Sequence, residues 1–290
     1  AVRTTLAYGV SNSYDFLVDK LGFENLTYTD SQQVGNMALG GFEKGVTTEE
    51  MSAAYAAFVN EGVYTKPRTF IRVEDANGNV VLENEAQSTV AMKNTTAAII
   101  NHLLQEAALN GTGYEAQFSG MHIAGKTGST NSNKDRYFVG YTPYYSCAVW
   151  AGYEHNQRIV ASGNPCSAVF RKVMSAIHAD LPDKDFFSCA GLTSVAVCAD
   201  SGMLASENCA LDVRGSRVYT ALVAADNAPT AVCTMHTAPT YTVNMADSDG
   251  NVTTVTGSVL NYQRELIEGH DEIVVEDAFM MLGGWNGFFG

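Results

Sequence analysis

The 290-residue sequence contains no uninterrupted apolar run that approaches the length of a bilayer-spanning helix, which is roughly 20 residues. Its first residues also lack the charged-then-apolar pattern of a secretory signal. Basic residues are scarce, with 17 Lys and Arg against 31 Asp and Glu and a net charge of −14. Nucleic acids and anionic membranes are bound through basic patches, so neither is expected as a partner.

Metal and redox motifs are also lacking. No Cys-x-x-Cys pair occurs, and the six histidines show neither His-Glu-x-x-His nor another recognised ligand spacing. The sequence therefore predicts no metal and no cofactor. Six cysteines permit about 15 complete pairings, among which the sequence alone does not choose; they are Cys147, Cys166, Cys189, Cys198, Cys209 and Cys233.

No serine is followed three residues later by a lysine, the S-x-x-K spacing that places a nucleophilic serine beside its base. A sequence that fits S-x-N occurs at Ser129-Thr130-Asn131. It overlaps the strand that carries Lys126-Thr127-Gly128 and therefore cannot face that strand across a cleft. The sequence thus contains part of an acyl-transfer site but lacks the nucleophile of that site.

The part that is present is Ala124 to Thr130, where an apolar segment meets a hydrophilic loop. An ammonium at Lys126 and a hydroxyl at Thr127 suit a substrate carboxylate. Gly128 has no Cβ, so a substrate backbone can approach, and the N–H of Ser129 suits a developing oxyanion. The hydroxyl of Thr130 is as well suited to capping the next loop as to touching substrate, and an isolated Lys-Thr-Gly is more often a solvated turn.

Hydrophobic periodicity predicts a mixed helix and strand fold. Thr47 and Glu50 form a capping box that begins a helix, a second helix runs from Asn94 to Leu109, and Asn77-Gly78 marks a hairpin. Three strands joined by short links predict an antiparallel meander; they are residues 121–128, 137–141 and 145–153. Pro165 begins a covering helix with Val169, Val173 and Ile177 facing inward.

Beyond Pro182 helical periodicity gives way to short β-prone runs with cysteines and an acidic end. This change predicts two domains, residues 1–182 and 183–290, the second a small β-rich extension with an acidic tail. The turn at Gly111-Thr112-Gly113 is interpreted as a helix stop rather than part of a cleft. Asp135 and Arg136 are interpreted as a structural ion pair or a loop cap.

Several ordered segments resemble the transpeptidase domain of the class A, bifunctional penicillin-binding proteins, over most of residues 1–210. Lys-Thr-Gly is the third motif of penicillin-recognising serine acyltransferases, after S-x-x-K and S-x-N. The other matching segments are residues 38–41, 44–47, 51–62, 111–113, 135–143, 149–153 and 197–202.

The resemblance implies an α/β fold of α+β type, an antiparallel sheet flanked by helices, as in penicillin-binding transpeptidases and serine β-lactamases. Because the S-x-N asparagine of the family precedes a helix similar to residues 1–6, we expect the chain to begin just after that element. The fold would then be incomplete at its N-terminus, and the nucleophile, the S-x-N motif and any membrane anchor would lie upstream.

By resemblance, the complete protein is a peptidoglycan D,D-transpeptidase at the outer face of a bacterial cell membrane. Its partners would be stem peptides ending in D-Ala-D-Ala and β-lactam antibiotics. Lys126, Thr127, Gly128 and Thr130 would bind substrate, while Lys126 and the Ser129 N–H would take part in catalysis. An extracellular location favours disulfides, and Cys198 with Cys209 is the best candidate pair.

Two other interpretations remain open. A serine β-lactamase or a D,D-carboxypeptidase shares Lys-Thr-Gly and the fold. A non-catalytic binding or scaffolding module of the same fold would explain why S-x-x-K is lacking.

Overall fold

The computed structural model describes residues 1–212, 215–237, 240–246, 252–258 and 261–262. The chain divides into two compact units, Ala1–Ala190 and Gly191–Gly290. The composition change had placed the boundary after residue 182, whereas the structural division falls after Ala190.

Most of the described helices lie in the first unit. Thr47 and Glu50 form the predicted capping box at the start of α5, the helix from Asn94 begins and ends where its periodicity predicted, and Pro165 is the first residue of α7. The helices are α1 (Val2–Tyr8), α2 (Val10–Asp15), α3 (Tyr28–Gln32), α4 (Val34–Leu39), α5 (Thr48–Val59), α6 (Asn94–Leu109) and α7 (Pro165–Ile177).

The strands of the first unit pair antiparallel. β2 and β3 form the hairpin predicted around Asn77-Gly78, and the predicted meander is present as a sheet in the order β5-β6-β7. The strands are β1 (Val63–Thr65), β2 (Arg72–Glu74), β3 (Val80–Glu83), β4 (Ser88–Val90), β5 (Ala124–Ser129), β6 (Asp135–Tyr141) and β7 (Ser146–Gly152); β1 pairs with β4.

The central strand β6 is covered by helices on both faces. Its successive side chains alternate between the two faces, so each face presents side chains to a different helix. Phe138 packs edge-to-face on Phe170 of α7, with ring centroids 4.7 Å apart. On the opposite face the hydroxyl of Tyr141 donates a hydrogen bond of 2.6 Å to Asn101 of α6, and its ring contacts Tyr55 of α5. Helices on both sides thus hold the sheet that carries Lys-Thr-Gly.

The predicted inner face of α7 is wrong. Val169, Val173 and Ile177 are each close to half exposed, and the buried stripe contains Phe170 and Met174. Both rows have helical spacing, so periodicity alone does not distinguish them. The sheet selects the second row because Phe170 meets Phe138.

Asp30 organises the chain before α5. Its side chain is fully buried, and its carboxylate accepts hydrogen bonds from Thr27 N–H (2.9 Å), Glu43 N–H (2.9 Å) and Asn36 Nδ2 (3.0 Å). Burial alone would raise the pKa of Asp30, but these hydrogen bonds to the charged form outweigh burial and lower it. The carboxylate thereby ties α3, α4 and the segment around Glu43 into one unit.

The second unit is rich in strands, as its composition predicted. Its described elements are β8 (Leu192–Cys198), α8 (Glu207–Ala210), β9 (Val218–Ala224), β10 (His236–Thr237), β11 (Thr240–Ala246), β12 (Val252–Ser258) and β13 (Asn261–Tyr262). The antiparallel pairs are β8 with β9, β10 with β13, and β11 with β12. Within the described parts of either unit, no helix has the length and hydropathy needed to cross a bilayer.

Asp30→Asn should destabilise the chain by about 1–3 kcal/mol, because an amide nitrogen would face buried donors. Since the folded-state pKa of Asp30 is lowered, its contribution is present above the ordinary carboxyl pKa of about 3.9 and is lost as pH falls through the lower folded value. Urea unfolding of Asp30→Asn at several pH values tests this, with the exposed Asp19→Asn as control. Equal stability of the two variants at neutral pH would contradict it.

Candidate active site

The Lys-Thr-Gly segment lies on β5, at one end of the strand order β5-β6-β7. Lys126 pairs with Val139 and Gly128 with Tyr137, so these four residues share one face of the sheet. That face borders a groove whose other wall belongs to the segment from α4 to α5. The lining residues are Leu39, Gly40, Phe42, Val46, Met51, Tyr55, Lys126, Thr127, Gly128, Ser129, Thr130, Asp135, Tyr137 and Val139.

Lys126 is exposed and directs its ammonium along the strand edge. Nζ lies 3.1 Å from the Thr127 carbonyl oxygen and 3.4 Å from Thr127 Oγ1. Both acceptors are neutral, and among the described residues no carboxylate forms an ion pair with this ammonium. The positive charge therefore remains available to an anion in the groove.

Thr112 is a candidate site residue, although the sequence interpretation assigned its turn to a helix stop. Its Oγ1 lies 2.7 Å from Thr127 Oγ1, so a second hydroxyl stands beside Lys-Thr-Gly. Gly111 and Gly113 allow this turn to fold back on α6, because a Cβ on Gly111 would lie 2.8 Å from the carbonyl oxygen of Ala107. The turn does end the helix, as predicted, but it also places Thr112 beside Thr127, which lines the groove. The matching Gly-Thr-Gly segment was the signal that could have identified it.

Ser129 and Thr130 are held by neighbours on and before β6. Ser129 Oγ accepts a hydrogen bond of 3.1 Å from Arg136 Nη1, which leaves the Ser129 backbone as the group that could serve a substrate. Thr130 Oγ1 donates to Asp135 Oδ2 (3.0 Å) and accepts from the Asp135 N–H (2.8 Å). Of the two roles considered for Thr130, the structure forms the loop cap, although Thr130 also lines the groove.

Asp135 and Arg136 have structural contacts, but they are not an ion pair with one another in the described hydrogen-bond network. Besides Thr130, Asp135 accepts a hydrogen bond of 3.2 Å from the indole Nε1 of Trp150. Its carboxylate is thus engaged at the edge of the groove and does not neutralise Lys126.

Packing within the sheet also favours glycine at position 128. A Cβ at this position would lie 3.0 Å from the Cβ of Tyr137, which is tighter than ordinary packing. The sequence interpretation gave substrate approach as the reason for this glycine. The structure adds a reason within the fold, because Gly128 and Tyr137 stand opposite each other.

Tyr137 adds a neutral phenol to the groove wall. Burial, with a smaller contribution from the charge on Glu50, raises the pKa of Tyr137 to about 12. Its hydroxyl is buried and has no hydrogen-bond partner among the described residues. The phenol therefore stays protonated at neutral pH.

The cysteines of the second unit do not form the predicted disulfide. Cys198 and Cys209 are both free and buried, and their sulfurs converge with Cys233 Sγ and a nitrogen of His236 within 4.8 Å. A bond between two of the sulfurs would break this four-atom arrangement. The spacing Cys233-x-x-His236 contributes two of the four, and a search for Cys-x-x-Cys or His-Glu-x-x-His does not detect it.

Two protein-family models match the chain. The penicillin binding protein transpeptidase domain matches residues 5–175. The penicillin-binding protein 1A C-terminal domain matches residues 188–238. Together they span both structural units and include Lys126, Thr127 and the four residues of the cysteine and histidine cluster.

An individual relative is also a penicillin-binding protein. Penicillin-binding protein 1A of Clostridium perfringens is 35% identical over 260 residues, which is 87% of this chain and 31% of the relative. The chain thus spans about a third of the length of this relative.

Solved structures share the fold. The crystal structure of penicillin-binding protein 1A from Haemophilus influenzae superposes with a TM-score of 0.62 at 19% identity, covering 80% of this chain and 39% of that one. PonA1 of Mycobacterium tuberculosis, solved in complex with penicillin V, gives 0.51 at 23% identity, covering 61% and 51%.

These likenesses confirm the predicted fold class, with its antiparallel sheet between helices. By its sequence matches over both units, the chain belongs to the penicillin-binding protein transpeptidase family.

Proposed function

We propose that this chain supplies the substrate-binding strand of a serine-type peptidoglycan D,D-transpeptidase, with the nucleophilic serine in a part of the protein outside these residues. The lack of S-x-x-K at every serine supports that division. So does the length of the Clostridium perfringens relative, of which this chain spans 31%.

One observation carries the proposal: the Lys126 ammonium and the hydroxyls of Thr127 and Thr112 form one cluster, and Lys126 and Thr127 line the groove. An ammonium and two hydroxyl donors complement a single carboxylate. Stem peptides end in the carboxylate of D-Ala-D-Ala, and penicillins also carry a carboxylate near their reactive amide. The arrangement thus suits recognition of both.

The proposed reaction is acyl transfer through a covalent intermediate. The serine oxygen bonds to the carbonyl carbon between the two D-Ala residues, and the peptide C–N bond breaks. The terminal D-Ala leaves after its nitrogen takes up the proton lost by the serine. An amine of a neighbouring peptidoglycan stem peptide then bonds to the same carbon. The bond from that carbon to the serine oxygen breaks, and the serine oxygen takes up the proton that the amine loses.

Ser129 would contribute through its backbone. Its side chain is held by Arg136, and its N–H would complete a binding site for the carbonyl oxygen as that oxygen becomes negative. Removing one such donor typically costs about 3 kcal/mol of transition-state stabilisation. Lys126 would add positive potential beside the same oxygen and beside the nucleophile.

The partners would be stem peptides and β-lactams, and the location would be the outer face of the bacterial cell membrane. The net charge of −14 is unsuited to nucleic acid.

A non-catalytic module of the same fold is the second candidate, favoured by the lack of S-x-x-K. A β-lactamase or D,D-carboxypeptidase is a weaker alternative, because the chain also matches the C-terminal domain of penicillin-binding protein 1A. Water rather than an amine would release the acyl group in those enzymes, so acceptor dependence of product formation separates them.

The isolated chain should form no covalent adduct with a penicillin, because recognition without a nucleophile gives no acyl-enzyme. The complete protein should gain the mass of one penicillin. Intact-protein mass spectrometry measures both. A stoichiometric adduct on the isolated chain would contradict the division of roles, and no adduct on the complete protein would favour the non-catalytic module.

Lys126→Ala in the complete protein should slow acylation by penicillin about 10- to 100-fold, since a hydrogen bond to a charged group contributes roughly 1.5–3 kcal/mol. The rate of adduct formation checks this. Lys172→Ala, an exposed lysine on α7 outside the groove, is the matched control. Equal rates in the two variants would remove Lys126 from the site.

Thr112→Val in the complete protein should slow acylation about five- to tenfold, because the variant keeps the side-chain shape but loses the hydroxyl beside Thr127, a change of about 1 kcal/mol. Thr96→Val at the other end of α6 is the control. An unchanged rate for Thr112→Val would restrict the turn to its structural role.

A further inference from the structure

Four buried side chains in the second unit direct donor atoms at one point. Cys198 and Cys209 are fully buried, Cys233 is 4% exposed and His236 2% exposed. The three sulfurs and one histidine nitrogen lie within 4.8 Å of one another. Such convergence of thiols with an imidazole is the arrangement of a metal site rather than of apolar packing.

The distances match a tetrahedron around one ion. Zinc bonds of about 2.3 Å to sulfur and 2.0–2.1 Å to nitrogen place a sulfur and a nitrogen ligand roughly 3.6 Å apart. His236 Nδ1 lies 3.5 Å from Cys198 Sγ and 3.5 Å from Cys233 Sγ. Nδ1 is therefore the histidine donor of this set.

The fold brings the four together from separate segments. Cys198 ends β8, and its carbonyl accepts the Gly202 N–H across a tight turn. Cys209 lies in α8, while Cys233 and His236 come from the segment that leads into β10. The Cys233 N–H donates to the Leu204 carbonyl, which fixes that segment beside the turn.

The opposite nitrogen of His236 faces acidic groups. Nε2 lies 3.1 Å from Asp212 Oδ2 and 3.2 Å from Asp200 Oδ2. Asp200 is in turn held by Arg217 through contacts of 3.0 and 3.2 Å. A carboxylate that accepts the second N–H of an imidazole orients the first nitrogen and increases its basicity, the usual outer partner of a metal-bound histidine.

The sulfurs also receive hydrogen bonds. The Ser206 N–H donates to Cys209 Sγ at 3.3 Å, and the Ser206 hydroxyl lies 3.3 Å from the same sulfur. The sulfur of Cys233 interacts with the backbone of Met235 and His236 and with the hydroxyl of Ser201. Hydrogen-bond donors beside ligand atoms are the outer contacts that hold the ligands of a metal site in place.

We infer that Cys198, Cys209, Cys233 and His236 Nδ1 bind one structural Zn²⁺. Three thiolates and an imidazole in a closed tetrahedral set select zinc, whereas carboxylates suit harder ions. Asp200, Asp212 and His236 form the other candidate ligand group, built on the Nε2 side. The four-donor set is preferred because it is complete and leaves the carboxylates as outer partners.

The role of the ion is structural. Among the described residues of this unit, the buried cluster consists of the three cysteines, with Ala205, Val218 and Met235 packed around it. So small an apolar core stabilises little by itself, and small units commonly rely on a metal instead. Four protein ligands fill the tetrahedral coordination of the ion, so no coordination position remains for substrate or water.

The chain purified without chelator should contain about one zinc per molecule by elemental mass spectrometry. With Co²⁺ in its place, the protein should show the charge-transfer and visible absorption of a tetrahedral thiolate site. Alkylation should reach Cys198, Cys209 and Cys233 only after a strong chelator is added. These three measurements use the wild-type chain and need no variant to fold.

Cys233→Ser should reduce bound zinc to a small fraction of one per chain, whereas Cys189→Ser, outside the cluster, should leave it unchanged. Asp212→Asn should weaken zinc affinity about 10- to 100-fold without changing the Co²⁺ absorption. Three results would overturn the site: wild-type chain without zinc, a Cys198–Cys209 disulfide in the purified protein, or zinc retained by Cys233→Ser but abolished by Asp212→Asn.

Discussion

The antiparallel register between β5 and β6 is the constraint on which the groove depends. Lys126 stands opposite Val139 and Gly128 opposite Tyr137, so the Lys126 side chain lies on the face of the sheet that borders the groove. A shift of one residue would turn every side chain of β5 to the other face. Phe138 and Tyr141 oppose such a shift, because each is buried against a different helix.

Buried or half-buried carboxylates hold the opposite wall in position. Asp30 gathers backbone and amide donors from three points along the chain before α5. Glu50 closes the capping box of α5 and also accepts the Glu24 N–H at 2.8 Å. Because each carboxylate binds several N–H groups, these short helices acquire fixed positions that their own length would not give them. This wall of the groove is therefore preformed.

The two units stabilise themselves by different means. The first buries large aromatic and aliphatic side chains around its sheet, including Phe138, Phe170 and Met174. The second places three cysteines where a core would otherwise be apolar. These thiols converge on His236, whose Nε2 lies 3.1 Å from Asp212 Oδ2. Such an arrangement is expected where a bound ion stabilises a unit in place of a larger apolar core.

The sequence by itself determined the family, the sheet and the major helices, because motif order, capping residues and periodicity are local properties of the chain. It also identified Lys126 and Thr127 as candidate site residues. The tertiary structure decided which of two apolar rows on α7 is buried and that Thr112 reaches Thr127. It also decided that Cys198 and Cys209, rather than forming a pair by themselves, converge with Cys233 and His236 as free thiols. These outcomes depend on contacts between segments far apart in sequence, and residue spacing carries no information about which of the possible partners the folded chain brings within bonding distance.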